Sequence, residues 1–339
     1  MKRLAFLDSI RGFAILIMMV IHAFSFSMFD PSQGEQYLNP AMPIVRAPGD
    51  PLATVFGIFF FVTGISLAVS IHNRRKRQGF PAMLRHSAFR ALFLIAAGIM
   101  ITLPSNIPDL PFFLNGREPI SLIGLADLFA LPFVFLLSRR SLLLLSAVSF
   151  FGVTALLVSP FAPGLFLGAT PLMLTGPYAV LKTFPIVLLG AAIGSHVMTK
   201  GLMPKKWFLI SGTAMLAAYV LLSTFIYKGE YAPHTVYYFT IPLVAVVGLL
   251  GTPFFELAEE RRMKLLPLAV FGRTGLFVYA TQIAILALFV QYVPHPPGIA
   301  SFIFLTGLTL AILWPISYMI AKKRWGNLRE TYGELPSKG

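Results

Sequence analysis

The sequence predicts an all-α, polytopic membrane protein, a helical bundle of about 10 transmembrane helices with both termini in the cytoplasm. Three observations lead there. Of the 339 residues, 57% are hydrophobic and only 12% charged. A soluble domain carries about a quarter charged residues, so a soluble fold of this composition would have no surface to offer water. The apolar residues, 32 Phe among them, gather in blocks of about 20, the length that crosses a hydrocarbon core of about 30 Å. Finally, with the N-terminus placed inside, 23 of the 27 Lys and Arg fall on the inner side of alternating loops, as expected of cytoplasmic loops.

Apolar runs between Pro and Gly breakers place the spans at 9–28, 52–71, 88–104, 119–137, 141–159, 181–198, 207–227, 235–253, 267–292 and 299–321. Residues 1–321 read as a single transmembrane domain and 322–339 as a short basic cytoplasmic tail. The first run has the look of a signal anchor, but no small-x-small cleavage site follows it, so it is kept as a helix. The long segments 29–51 and 160–180 fall on the outer side. The second is apolar enough to lie at the interface or fold back over the bundle. Gly64-x3-Ala68 and Gly190-x3-Gly194 read as close helix contacts. Trp207, Trp314 and Trp325 read as interfacial or packing aromatics.

A net charge of +14 would suggest nucleic acid on a soluble protein. Here the positive-inside rule accounts for it, and no nucleic-acid motif is present. The absence of Cys excludes disulfides, thiolate metal sites and a Cys nucleophile. The sequence contains no metal-ligand spacing and no Gly-rich phosphate loop.

Chemistry concentrates in the first span, RLAFLDSIRGFAILIMMVIHAFSFS. Arg11 and His22 are eleven residues apart, which leaves about 20° after three turns and an axial separation of about 16 Å. Both side chains therefore share one helix face. Asp8 lies three residues before Arg11 and can pair with it; Ser25 lies three after His22 and can orient its ring. His22 is the one histidine of six placed inside a predicted span. It reads either as a functional imidazole or as a neutral packing residue. Arg11 alone reads equally as a snorkelling cation. Asp127, mid-span in ISLIGLADLFAL, needs a partner, for which Arg273 and His22 are the candidates. It reads equally as a structural contact between helices.

The run LDSIRGFAILIMMVIHA resembles the first helix of the transmembrane acyltransferases. That group includes the acyltransferase-3 proteins, whose Arg-x10-His signature is met by Arg11 and His22, and the heparan-α-glucosaminide N-acetyltransferase-like proteins. The stretches FGIFFFVTGISLAVSIHNRRKR and LRHSAFRALFLIAAGIMIT are similar to the latter branch. Weaker echoes are ISLIGLADLFAL, FPIVLLGAAIG and FGRTGLFVYATQ. The resemblance implies a membrane-bound acyltransferase. Such a protein moves an acyl group, most often acetyl, from cytoplasmic acyl-CoA to a hydroxyl or amine, typically on a sugar or glycan.

On that reading His22 is the base or acyl carrier, with Arg11, Asp8 and Asp127 in the catalytic group. Arg11, Arg74, Arg75, Arg85, Arg90 and Arg273 hold acetyl-CoA, whose phosphates need a basic mouth. Positive-inside topology explains the same Arg cluster without a ligand. No metal is expected. Acyl-CoA, a sugar or glycan and membrane lipids are the expected partners, and a homodimer is compatible with the sequence. The expected setting is the plasma membrane of a prokaryote. A proton-coupled secondary transporter is the alternative, since intramembrane Arg, His and Asp suit one.

Overall fold

A computed structural model of the chain describes residues 5–27, 51–75, 79–102, 119–158, 180–200, 266–293 and 298–325. These form helices and short connections, with no strand among the described residues. In chain order they are α1 (Ala5–Ser27), α2 (Pro51–Arg75), α3 (Phe80–Thr102), α4 (Pro119–Leu136), α5 (Arg139–Val158), α6 (Val180–Lys200), α7 (Leu266–Arg273), α8 (Gly275–Tyr292) and α9 (Ile299–Trp325). Eight of the expected spans coincide with helical segments. The expected spans 207–227 and 235–253, the segments 29–50 and 160–179, and the residues Lys76 and Arg77 lie outside the described residues. α9 continues to Trp325, four residues into the segment read as a tail.

By length and apolarity, four of the described helices can cross a membrane: α1, α2, α3 and α9. The pair α7–α8 makes a fifth if it acts as one span. This pair corrects the sequence reading, which treated 267–292 as one continuous helix. The chain instead bends by 90° between Arg273 and Gly275. The cause is local. Gly272 and Gly275 flank Thr274, and Gly is a poor helix former. The Thr274 N–H and hydroxyl both donate to the Val270 carbonyl, at 3.1 and 3.0 Å, which closes α7. Val278 N–H then donates to the Thr274 carbonyl at 2.9 Å and opens α8. A break of this kind is tolerated at membrane depth only where protein buries the backbone, and Arg273 and Thr274 are both buried.

The chain divides into two compact units. In the first, α1 packs against α7, α8 and α9. Ile15, Met18 and Met19 are its largest buried side chains. Ala23 meets Leu286 and Leu305 near its C-terminal end, where Phe24 and Phe302 stack edge-on at 5.5 Å. Gly12 faces the Leu268 carbonyl, and Gly272 faces the Asp8 carbonyl. Neither position has room for a side chain, so α1 and α7 cross with their backbones in direct contact.

The second unit contains α3 to α6 and all of α2 beyond Val55. The two small-residue motifs pack on each other, as the sequence predicts. Gly64 faces the Val187 carbonyl and Gly190 the Phe61 carbonyl, while a Cβ on Gly194 would lie 2.7 Å from the Ile65 carbonyl. Ser146 donates to the Pro185 carbonyl at 2.7 Å, tying α5 to α6.

Candidate functional site

The glycine crossing of α1 and α7 builds the first part of the site. It brings Arg273 beside the first turn of α1, where Asp8 accepts from two arginines. Arg11 Nη1 donates to Oδ1 at 3.3 Å, and Arg273 Nε donates to Oδ2 at 3.3 Å. The side chains of Asp8 and Arg273 are 4% and 0% exposed, whereas that of Arg11 is 28% exposed. Two guanidinium groups around one carboxylate leave a net positive charge. Only Arg11 of the three presents part of that charge to a ligand. The predicted Asp8–Arg11 pair is therefore present, and it extends to a cation from a distant part of the sequence.

The second part lies further along the same face of α1. The His22 ring is partly exposed, and its Nδ1 is 3.2 Å from Nε2 of Gln282 on α8. Gln282 is fully buried, so a buried amide anchors a ring that remains reachable. The expected role of Ser25 lies outside the described side chains. Gln282 was not singled out from the sequence. Its one signal is its place as the last residue of FGRTGLFVYATQ, the run that also supplies Arg273.

The structure corrects the partner expected for Asp127. That residue is buried on α4, and Arg90 of α3 donates to its Oδ2 at 3.3 Å. Arg273, one expected partner, is bound to Asp8, and His22, the other, to Gln282. The Arg90–Asp127 contact follows from close approach of α3 and α4. A Cβ on Gly124 would lie 2.6 Å from the Ala91 carbonyl, and Ser121 donates to the Ile95 carbonyl at 3.2 Å. Arg90 thus holds a buried carboxylate in addition to any role toward a donor, and the pair fits the structural reading of Asp127.

The remaining residues of the predicted basic mouth keep more exposure. Arg75 and Arg85 are exposed, and Arg74 Nε donates to Ser70 Oγ at 3.4 Å. Elsewhere in the same unit Arg139 of α5 contacts Nδ1 of His196 on α6. No group of three or more His, Asp or Glu is arranged to hold a metal among the described residues.

Chemically, the α1 face offers a partly exposed arginine held by a carboxylate and, about 16 Å further on by helical rise, an imidazole with one ring nitrogen engaged. A polyanionic donor and a proton-exchanging centre can be served at the two ends of such a face. A family model described as an acyltransferase domain, acyltransferase-3, matches residues 4–318. No curated protein matches the chain. The matched region takes in every residue of the α1 site, and the chain belongs to the acyltransferase-3 family of integral membrane acyltransferases.

Proposed function

We propose that this protein transfers an acetyl group from cytoplasmic acetyl-CoA to a hydroxyl or amine of a sugar or glycan, at or across a prokaryotic plasma membrane. The observation that carries the reading is the α1 face: Arg11 in a net-positive cluster at one end and His22, held by Gln282, at the other. Arg11 receives an anionic group of the donor, and Arg74, Arg75 and Arg85 are the remaining phosphate-binding candidates. His22 acts on the reacting atoms. As base, its free ring nitrogen takes the proton of the acceptor O–H or N–H. The acceptor atom then bonds to the acyl carbon, the C–S bond breaks, and the leaving thiolate takes the proton from the imidazolium. Arg is permanently protonated and cannot do this, whereas imidazole exchanges protons near neutral pH.

The test is His22→Ala. A general base contributes about 10²–10⁴-fold in rate, so transfer should fall by at least that order while calorimetry still shows CoA binding. Transfer at the parental rate would remove His22 from the mechanism. Rapid-quench capture of an acetyl-imidazole in the wild type would make His22 a carrier and not a base. The bent α7–α8 pair is the observation that favours a proton-coupled transporter, since carriers build sites from broken helices. Such carriers break helices at matching positions in two halves, and one bent pair occurs among the described residues.

A further inference from the structure

The His22–Gln282 contact carries an inference that rests on the acyltransferase reading and deepens it. A neutral imidazole has one N–H, and the group bonded to one ring nitrogen decides which nitrogen keeps the lone pair. The only ring contact given for His22 is the one between its Nδ1 and the Gln282 amide, at 3.2 Å. The two ends of a glutamine amide exchange by a half-turn of the terminal torsion, with no other atom moved. If the amide NH2 faces Nδ1, that nitrogen must accept. The proton then sits on Nε2, and the reactive edge of the ring is a donor. If Oε1 faces Nδ1, the ring carries Nδ1–H and Nε2 has the lone pair.

The other end of the amide decides between them. Gln282 is fully buried, and the end turned away from His22 has no hydrogen-bond partner among the described residues. A carbonyl there would confront the acyl donor's own carbonyl oxygen. An NH2 group there can donate to it, and buried polar groups are costly when left unmet.

We infer that Gln282 is a positioning residue that sets the tautomer of His22: its Oε1 accepts from Nδ1–H and so presents the Nε2 lone pair to the acceptor substrate. Gln282 itself takes no part in bond making. The charged and titratable groups on α1 and on the helices packed around it are few. They are Asp8 and Arg11 on α1, Arg273 on α7, Tyr279 and Tyr292 on α8, and Tyr318, Lys322, Lys323 and Arg324 on α9. Asp8, Arg11 and Arg273 form the cluster about 16 Å or more along α1 from the ring, and the α9 cations lie in its last turn. The uncharged amide is therefore the group in direct contact with the ring.

The experiment is nitrogen-15 NMR of the full-length protein in lipid bilayers with labelled histidine. The His22 ring signals are assigned by their loss in His22→Gln. The wild type should show a protonated Nδ1 and an unprotonated Nε2. Gln282→Met, close in shape but unable to accept, should abolish that preference. Gln282→Glu should keep Nδ1–H and move the imidazole titration midpoint to higher pH, because a carboxylate favours the imidazolium.

Activity is read in parallel as thiol release from acetyl-CoA. Ring partners of metal-bound histidines are worth about 10–100-fold; a comparable loss of kcat is expected in Gln282→Met, with KM for acetyl-CoA little changed. Gln282→Glu should restore turnover and shift the acid limb of the pH–rate profile upward. A wild-type ring protonated on Nε2, or a Gln282→Met spectrum identical to the wild type, overturns the inference. Absence of thiol release in the wild type overturns the acetyl-CoA reading instead and leaves the tautomer result standing.

Discussion

Asp8 and Arg11 touch each other, yet their substitutions should do different things. Arg273 has a fully buried side chain whose charge is met by Asp8. Removing one partner of a buried pair costs about 3–5 kcal/mol, because the survivor is left uncompensated. Asp8→Asn should therefore lower the unfolding midpoint in detergent markedly. Arg11 is 28% exposed, and pairs of that kind contribute roughly 0–1 kcal/mol. Arg11→Ala should leave the midpoint almost unchanged while weakening CoA binding by calorimetry. Arg11→Lys should recover only part of it, since the planar fork is lost. Unchanged CoA affinity in Arg11→Ala would show that the exposed arginine does not hold the donor. Arg90 behaves like Arg273: its contact with buried Asp127 means that Arg90→Ala reports on folding as well as on ligand, so Arg85 and Arg75 are the cleaner probes of a basic mouth.

Among the elements, the crossing of α1 and α7 is the one on which the site depends. A Cβ at Gly272 would run into the Asp8 carbonyl, and one at Gly12 into the Leu268 carbonyl. Both obstacles are helix backbone, which cannot swing aside as a side-chain tip can. Gly272→Val should separate the helices, pull Arg273 from Asp8 and abolish well-folded protein by size-exclusion chromatography. Gly307 on α9 is the control. It has open space around its Cβ position, and Gly in a helix costs roughly 0.5–1 kcal/mol relative to Ala, so Gly307→Ala should be neutral or slightly stabilising. A Gly272→Val protein with wild-type yield and melting would mean that the two backbones are not in contact. The small-residue motifs were legible in the sequence as packing sites; the bend at Thr274 was not. Its apolar content continues unbroken from 267 to 292, and hydropathy cannot distinguish one long helix from two joined at an angle.

For the whole molecule the testable quantity is topology. The 23 inner and 4 outer Lys and Arg predict that both ends lie in the cytoplasm. A tag after Gly339 should be inaccessible to a membrane-impermeant label on intact cells and should react after permeabilisation. Labelling from outside would require an odd number of spans and would reverse the assignment of the basic loops.

By itself the sequence determined the class of the protein, the positions of the described helices, and the shared face of Arg11 and His22. Each of these follows from short-range rules: the thickness of hydrocarbon selects apolar runs of a given length, and a 3.6-residue period selects a face. The tertiary structure decided which polar groups meet. Asp8 finds Arg273 across 265 residues, His22 finds Gln282 across 260, and Arg90 takes Asp127. No local pattern encodes such pairings. Inside a membrane there is little hydrophobic drive to choose one helix neighbour over another, and the choice falls to small-residue crossings and to the cost of leaving a buried polar group unmet. Both are properties of two helices together, and neither can be read from one.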